Sequence, residues 1–298
     1  MGWPSSGLLT QPIADGPDVR MPGTARKVEI GGLRLHVEDT GGDGPAVVFS
    51  HGLLLSTRLW DAQVEALRGR YRCIAYDHRG QGQSDVPPDR GISLDTCAAD
   101  AEALVKTLGA VPCHFVGLSM GGMVGMRLAA RRPEILRSLS LIESSADPEP
   151  EENVGRYRLL NLVARFVGPW AVAGKVMPIL FGRTFLTDPG RAPDRARWTA
   201  HVAGNRRAIW RAVNGVVDRP SIHGELAAVR LPTLVMVGEE DVATVPAKAE
   251  RIAAAIAGAR LVRIPRAGHT SPVEEPAAVT AALQDFLASV EARRAGPA

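Results

Sequence analysis

Gly117-Leu118-Ser119-Met120-Gly121 is the stretch of this sequence with the most direct chemical consequence. The apolar run Cys113–Leu118 leads into it and a helical pattern, Met120–Ala130, leads out. A G-x-S-x-G in that setting predicts a nucleophile elbow, a strand-to-helix turn so tight that the flanking positions cannot carry side chains. The turn would hold Ser119 at the edge of a sheet, above a helix N-terminus whose N–H groups favour developing negative charge. A serine hydroxyl is a weak nucleophile until a base takes its proton. His269 is the expected base, because it lies on the loop after the predicted strand Arg260–Ile264. His36 and His114 fall within predicted strands, His78 in an Arg/Gln-rich loop, and His201 and His223 in or beside a strand-free region. The base needs a carboxylate to fix its tautomer and stabilise the imidazolium. Asp241, just past the predicted strand Thr233–Val237, is the expected partner, with Glu239, Glu240 and Glu143 as rivals. The order Ser119, Asp241, His269 is one of the known chain orders for such a triad.

Acyl chemistry also needs donors for an oxyanion. His51-Gly52 follows the predicted strand Ala46–Ser50, and Gly52 lets the chain turn. The N–H of Leu53 is then expected to face the same pocket as the N–H of Met120, and losing one such donor costs about 3–4 kcal/mol of barrier. The His51 side chain is expected to pack and hydrogen-bond structurally.

Eight β-rich runs would position these residues: Lys27–Ile30, Leu33–Glu38, Ala46–Ser50, Arg72–Tyr76, Cys113–Leu118, Ser138–Ile142, Thr233–Val237 and Arg260–Ile264. Ala46-Val47-Val48-Phe49 is apolar without alternation, as in a strand covered on both faces of a parallel sheet. Helical patterns alternate with the strands at Arg58–Leu67, Ser93–Leu108, Met120–Ala130, Pro246–Ile256 and Glu275–Val290. This rhythm predicts an α/β fold with a mostly parallel sheet and helices on both faces. It breaks over residues 147–219, which read as helical stretches punctuated by Gly and Pro. The chain therefore divides into an extended N-terminal arm (1–22), a core (23–146 and 220–298) and a helical cap (147–219).

The cap concentrates aromatic residues, holding Phe166, Trp170, Phe181, Phe185, Trp198 and Trp210. Trp170, Phe181 and Trp210, together with Trp60 near the oxyanion turn and the Met120 side chain, are the expected walls of an apolar substrate pocket. Between Arg183 and Arg219 the cap carries eight arginines against three aspartates. Most would be solvated; the sharper expectation is that they steer anionic substrates to the site.

The hydrophobic share of 45% and charged share of 22% exclude disorder and collagen-like structure. A net charge of +3 without a basic stripe does not point to nucleic acid. Cys73, Cys97 and Cys113 have no CxxC spacing, so neither a disulfide framework nor a zinc site is expected, and buried thiols suit a reducing cytoplasm. Residues 1–22 lack the pattern of a secretory signal. The most apolar stretch, Leu159–Phe181, is broken by Arg165, Pro169, Lys175 and Pro178, so no membrane span is expected.

The motifs together resemble the α/β-hydrolase superfamily, in its capped, small-molecule branch. The resemblance runs from about Val28 to Val290 and rests on the elbow, His51-Gly52, the stretch Tyr76 to Asp85, and Gly268-His269 with Glu275-Pro276. It implies an eight-stranded α/β-hydrolase sheet and a structural role for the loop Asp77–Asp85, so Asp77 and Arg79 are given no catalytic part. The Gly-Leu-Ser-Met-Gly-Gly elbow and short cap are similar to esterases, enol-lactonases and cofactor-free perhydrolases. Those perhydrolases carry proline two residues after the His-Gly pair, where this chain has Leu54. Ser119 stands where haloalkane dehalogenases and epoxide hydrolases of this fold have aspartate. The expectation is a serine hydrolase cleaving a small, largely apolar carboxylic ester or lactone, with no metal or cofactor. Perhydrolysis or carbon–carbon hydrolysis on the same triad is the alternative, and a slow ligand receptor a further one.

Overall fold

The computed structural model describes residues 23–88 and 91–295; the arm expected over residues 1–22 lies outside the described residues. In chain order the elements are β1 (Thr24–Ile30), β2 (Leu33–Asp39), β3 (Ala46–Ser50), α1 (Asp61–Leu67), β4 (Arg72–Tyr76), α2 (Leu94–Thr107), β5 (Cys113–Leu118), α3 (Met120–Arg131) and β6 (Leu136–Ile142). Five helices follow: α4 (Glu151–Phe166), α5 (Ala173–Leu180), α6 (Arg183–Thr187), α7 (Ala192–Ala203) and α8 (Trp210–Val217). The chain then continues through β7 (Thr233–Gly238), α9 (Pro246–Ala255), β8 (Arg260–Ile264), α10 (Ser271–Glu274) and α11 (Pro276–Ala295).

The strands form one eight-stranded sheet in the order β1-β2-β4-β3-β5-β6-β7-β8. Its β1–β2 and β2–β4 pairs are antiparallel and the remaining pairs parallel. The apolar runs of the central strands have a simple cause. Successive side chains point to opposite faces, and helices cover both. Val48, Ile74 and Phe115 pack with α2, α3 and α9 on one face, while Val47, Phe49, Cys73 and Val116 pack with α1 and α11 on the other. Ser93 starts α2 with a reciprocal capping box to Thr96, so that helix is fixed at its entry by local chemistry.

Because β3, β5, β7 and β8 run parallel, the loops that follow them leave from one edge of the sheet. His51, Ser119, Asp241 and His269 all lie on those loops, at the edge where sites of open α/β sheets form. The segment between β6 and β7 contains α4–α8 and, among the described residues, no strand. Its two crossing points are joined: Ile222 N–H donates to Ala146 O at 2.9 Å, and Arg219 Nε to Asp147 O at 3.0 Å.

The cap arginines have an anchoring task that their sequence pattern did not reveal. Arg206 donates to Gln81 O and Ser84 O, Arg211 to Pro87 O, and Arg191 to Val273 O and Glu274 O. Arg195 and Arg207 satisfy carbonyls within the cap. Guanidinium groups supply several N–H donors each, so they close loop carbonyls that no regular element satisfies. The charge expected to steer anions is directed chiefly into the cap and its seam with the core.

Several histidines are buried without charge. His78 is buried and contacts Ser50 Oγ at 3.0 Å; burial lowers its pKa to about 4. A depressed histidine pKa stabilises the fold above the ordinary value near 6.5 and loses that contribution as pH falls toward the folded value. The stability difference between wild type and His78→Asn is therefore expected to narrow from pH 7 to about pH 4.5, where protonation of the unfolded chain wins. Thermal melts of both proteins across that range check it, and a constant difference would contradict a neutral ring.

Candidate active site

At the end of β5 the backbone turns through Ser119 with φ 51° and ψ −111°. A residue other than glycine is rarely held at positive φ, and such strain persists only when the surroundings enforce it. The enforcement is visible on each side. A Cβ at Gly117 would lie 2.3 Å from Gly121 O, and one at Gly121 would lie 2.0 Å from Ser50 O. Ser119 N–H donates to Ile142 O at 2.8 Å, and Ser144 Oγ donates to Ser119 O at 2.9 Å. The serine therefore caps the start of α3 with its side chain uncommitted: among the described residues no protein group hydrogen-bonds Ser119 Oγ.

His269 is held at the same cavity by a chain of contacts. Its Nδ1 lies 2.9 Å from Asp241 Oδ2. Thr244 Oγ1 donates to Asp241 Oδ2 at 2.8 Å, and the N–H groups of Ala243 and Thr244 donate to Oδ1 at 2.8 and 2.9 Å. Burial opposes ionisation of Asp241, but the His269 ring and these donors outweigh it and hold its pKa below the usual aspartate value. An ionised Asp241 places the ring proton on Nδ1 and leaves Nε2 as the basic nitrogen. The rival carboxylates are engaged elsewhere or face away. Glu240 accepts from Thr184 N–H at 2.7 Å and from Thr184 Oγ1. Glu143 Oε1 accepts from Gly238 N–H at 3.0 Å, and burial, reinforced by the Asp241 charge, raises its pKa well above the usual value. Glu239 is exposed.

One carboxylate that organises this region was absent from the sequence expectations. Glu274 Oε2 accepts from Gly268 N–H at 2.9 Å and from Gly182 N–H at 2.8 Å, while Oε1 accepts from Thr270 N–H at 3.0 Å and Thr270 Oγ1 at 2.9 Å. It thus fixes the residues on both sides of His269 and ties them to the cap. The Ser271-x-x-Glu274 spacing was legible as a helix start, but not as this long-range clamp.

The turn after β3 lies against the elbow: a Cβ at Gly52 would be 2.7 Å from Leu118 Cδ2 and 3.4 Å from Ser119 Cβ. His51 Nδ1 is 2.7 Å from Gly52 O, and His78 N–H donates to His51 Nε2 at 3.0 Å. The second contact makes Nε2 an acceptor, so the proton sits on Nδ1, and burial pushes the ring pKa well down. His51 therefore braces the turn. Leu54, at φ 68°, is held by Gln81 Oε1 through its N–H at 2.9 Å and by Asn205 Nδ2 at its carbonyl at 3.0 Å. Among the described residues, no protein acceptor takes the N–H of Leu53 or of Met120.

Ser119, His269 and Leu53 line a cavity of about 140 Å³. Its remaining wall is mostly aliphatic, built from Met123 on α3 and from Leu160, Val176, Leu180 and Val213 on the cap. None of the expected aromatic walls is part of it. Trp60 is fully buried against Phe49, 5.2 Å between ring centroids. Phe181 stacks on Phe185 at 4.6 Å, and Trp210 is covered by Arg165 at 4.3 Å. Trp170 points outward with 66% of its surface exposed. The Met120 side chain is likewise absent from the wall, its Sδ accepting from Gln81 Nε2 at 3.3 Å in the core. The large rings serve helix packing or the outer surface, and smaller aliphatic chains shape the cavity. Among the described residues no group of three or more His, Cys, Asp or Glu is placed to hold a metal ion, and no helix is long and apolar enough to cross a membrane.

Residues 47–283 match the alpha/beta hydrolase family. The RutD protein of Pseudomonas savastanoi pv. phaseolicola, whose name assigns it to carbamate hydrolysis, is 31% identical over 253 residues, covering 82% of this chain and 94% of its own. The enol-lactonase of Burkholderia xenovorans LB400 superposes with a TM-score of 0.82 at 30% identity, covering 88% of this chain and 100% of that one. A thermophilic esterase from Thermogutta terrifontis also gives 0.82 at 30% identity, covering 90% of this chain and 99% of that one.

The elbow makes a steric forecast. Gly121→Ala is expected to lower the denaturant midpoint by the equivalent of about 3 kcal/mol, because backbone of β3 blocks the added methyl. Gly155→Ala, in open space on α4, is expected to raise it by about 0.5–1 kcal/mol. Urea titrations compare the two, and equal midpoints would refute the packing constraint.

Proposed function

The chain belongs to the alpha/beta hydrolase family, and on that footing we propose that it is a cofactor-free serine hydrolase of a small carboxylic ester or lactone. The observation that carries this reading is the junction of an unengaged Ser119 with the Asp241–His269 pair on one largely aliphatic cavity. Ser119 Oγ attacks the carbonyl carbon while His269 Nε2 takes its proton. The carbonyl oxygen becomes an oxyanion held by the N–H groups of Leu53 and Met120. As the tetrahedral intermediate collapses, the carbon–oxygen bond breaks and His269 returns the proton to the leaving alcohol. Water, deprotonated by His269, then attacks the acyl-enzyme and releases the acid. Asp241 keeps the imidazolium oriented and stabilised throughout.

The aliphatic wall favours a substrate with little charge. Of the eight arginines between Arg183 and Arg219, only Arg219 lines the cavity among the described residues, and Glu149 pairs with it at 2.9 Å. The esterase and enol-lactonase likenesses support the same substrate class. Because the RutD relative is named for carbamate hydrolysis, a carbamate belongs in the substrate panel. The nitrogen lone pair of a carbamate makes its carbonyl carbon less electrophilic toward the same attack, so esters and lactones are expected to turn over faster. The buried thiols of Cys73, Cys97 and Cys113, each pushed up to about 12 by burial, suit the reducing cytoplasm proposed as its compartment.

Ser119→Ala is expected to lower kcat/KM for a nitrophenyl ester by about 10⁴-fold or more, and Asp241→Asn by about 10⁴-fold through the wrong histidine tautomer. Glu143→Gln should remain within a few-fold of wild type, since Glu143 is held neutral. Steady-state kinetics on the three variants, with fluorophosphonate labelling mapped to Ser119, decide the matter. Undiminished turnover by Ser119→Ala would remove the proposed nucleophile. Raising the salt concentration should change the rates with a neutral and an anionic ester to the same small extent, in contrast to the steep loss that electrostatic steering gives for the anion.

A further inference from the structure

Away from Ser119, Thr244 and His269, the cavity wall is aliphatic except where the cap meets its own base. There Arg219, immediately after α8, lies buried with 4% of its surface exposed. Its guanidinium has five N–H bonds. Nε donates to Asp147 O at 3.0 Å, and the Nη1 hydrogens go to Glu149 Oε2 at 2.9 Å and Val216 O at 2.7 Å. Among the described residues no protein acceptor meets Nη2. Arg219 thus clamps both ends of the cap and keeps one arm of its fork in reserve while lining the cavity.

A second group on the same wall is also incomplete. Asn161 on α4 is buried, and its Nδ2 donates to Trp210 O at 3.0 Å and Asn214 Oδ1 at 2.8 Å. The Trp210 carbonyl can only accept, which fixes the orientation of the amide. Asn161 Oδ1 is left buried without a hydrogen-bond partner. Tyr157 lies one turn earlier on α4, and it too lines the cavity. Unpaired polar groups away from water are costly, and the unused Arg219 Nη2 donor on an otherwise apolar wall is one that a ligand acceptor can complete.

We propose that the free Nη2 arm of Arg219, at the polar end of the cavity that it shares with Tyr157 and Asn161, is a subsite that recognises an uncharged carbonyl on the substrate, distinct from the carbonyl that Ser119 attacks. The proposal rests on the hydrolase reading and narrows its substrate class. The 2.9 Å ion pair with Glu149 sets the charge preference. A neutral carbonyl takes the Nη2 hydrogens without displacing Glu149, whereas a carboxylate would compete with Glu149 for the same guanidinium. The subsite belongs to the cap and the nucleophile to the sheet edge, so the substrate spans from one to the other: an ester or lactone with a second carbonyl along its acyl chain.

The test compares a nitrophenyl alkanoate with chain-length-matched keto analogues that carry the ketone at successive internal carbons. Wild type is expected to favour at least one keto ester in kcat/KM by about tenfold, the scale of one hydrogen bond to a charged donor. In Arg219→Lys, which keeps the charge beside Glu149 but loses the second arm of the fork, that ratio should fall to near unity. A residue acting only as a cap clamp would lower both rates and leave the ratio intact, and this result overturns the subsite. So does a wild type with no preference among the esters, a comparison that needs no variant to fold. Calorimetry on Ser119→Ala with the corresponding methyl esters reads the subsite without chemistry. Tighter binding of the keto ester there supports it even where turnover fails, and turnover without any keto preference in binding refutes it while leaving the hydrolase reading in place.

Discussion

Everything at the sheet edge depends on the absence of space around Ser119. Gly117 and Gly121 approach each other and the β3 backbone so closely that neither could bear a methyl group. That closeness turns the chain from strand to helix within one residue and holds Ser119 at φ 51°. A relaxed turn would let the serine side chain fold back on its own helix. The tight one sends it outward, at the positive end of α3. The strain is held in place by the ladder on both sides of β5, through Ser50 and Ile142.

The histidine loop is fixed by different means, since no strand reaches it. Four donors converge on the single carboxylate of Glu274, and three of them belong to Gly268 and Thr270, which flank His269 in the chain. The fourth comes from Gly182, so the position of His269 and the seat of the cap share one anchor. The close approach requires glycine at both ends: a Cβ on Gly268 would lie 2.2 Å from Gly182 N. On the far side of the cap, Arg219 joins the two chain crossings to each other. The cap is thereby tied at its base and at the histidine loop, with its aliphatic faces left to form the cavity between them.

Much of the fold was legible because it follows short-range rules. The runs Ala46–Ser50, Arg72–Tyr76, Cys113–Leu118 and Arg260–Ile264 coincide with observed strands, since apolar β-branched segments between turns have few alternatives. The cap aromatics were not legible in the same way. Whether Phe181 or Trp210 faces a cavity depends on which helix its ring meets, and Phe185 and Arg165 meet them first. The arginine-rich half of the cap misled for a related reason. A run of guanidinium groups shows its charge in sequence, but its carbonyl acceptors at Gln81, Ser84 and Pro87 are more than a hundred residues away.

By itself the sequence determined the strand-helix alternation, the glycine-flanked serine and the chain order of Ser119, Asp241 and His269. Those features rest on periodicity and on backbone sterics that act within a few residues. Tertiary structure decided which acceptors the arginines satisfy, which carboxylate braces the histidine loop and which side chains shape the cavity. Those outcomes turn on distances between segments remote in the chain. A Glu274 or an Arg219 has no local mark that separates it from a solvated neighbour until folding removes the water and leaves particular backbone groups as its partners.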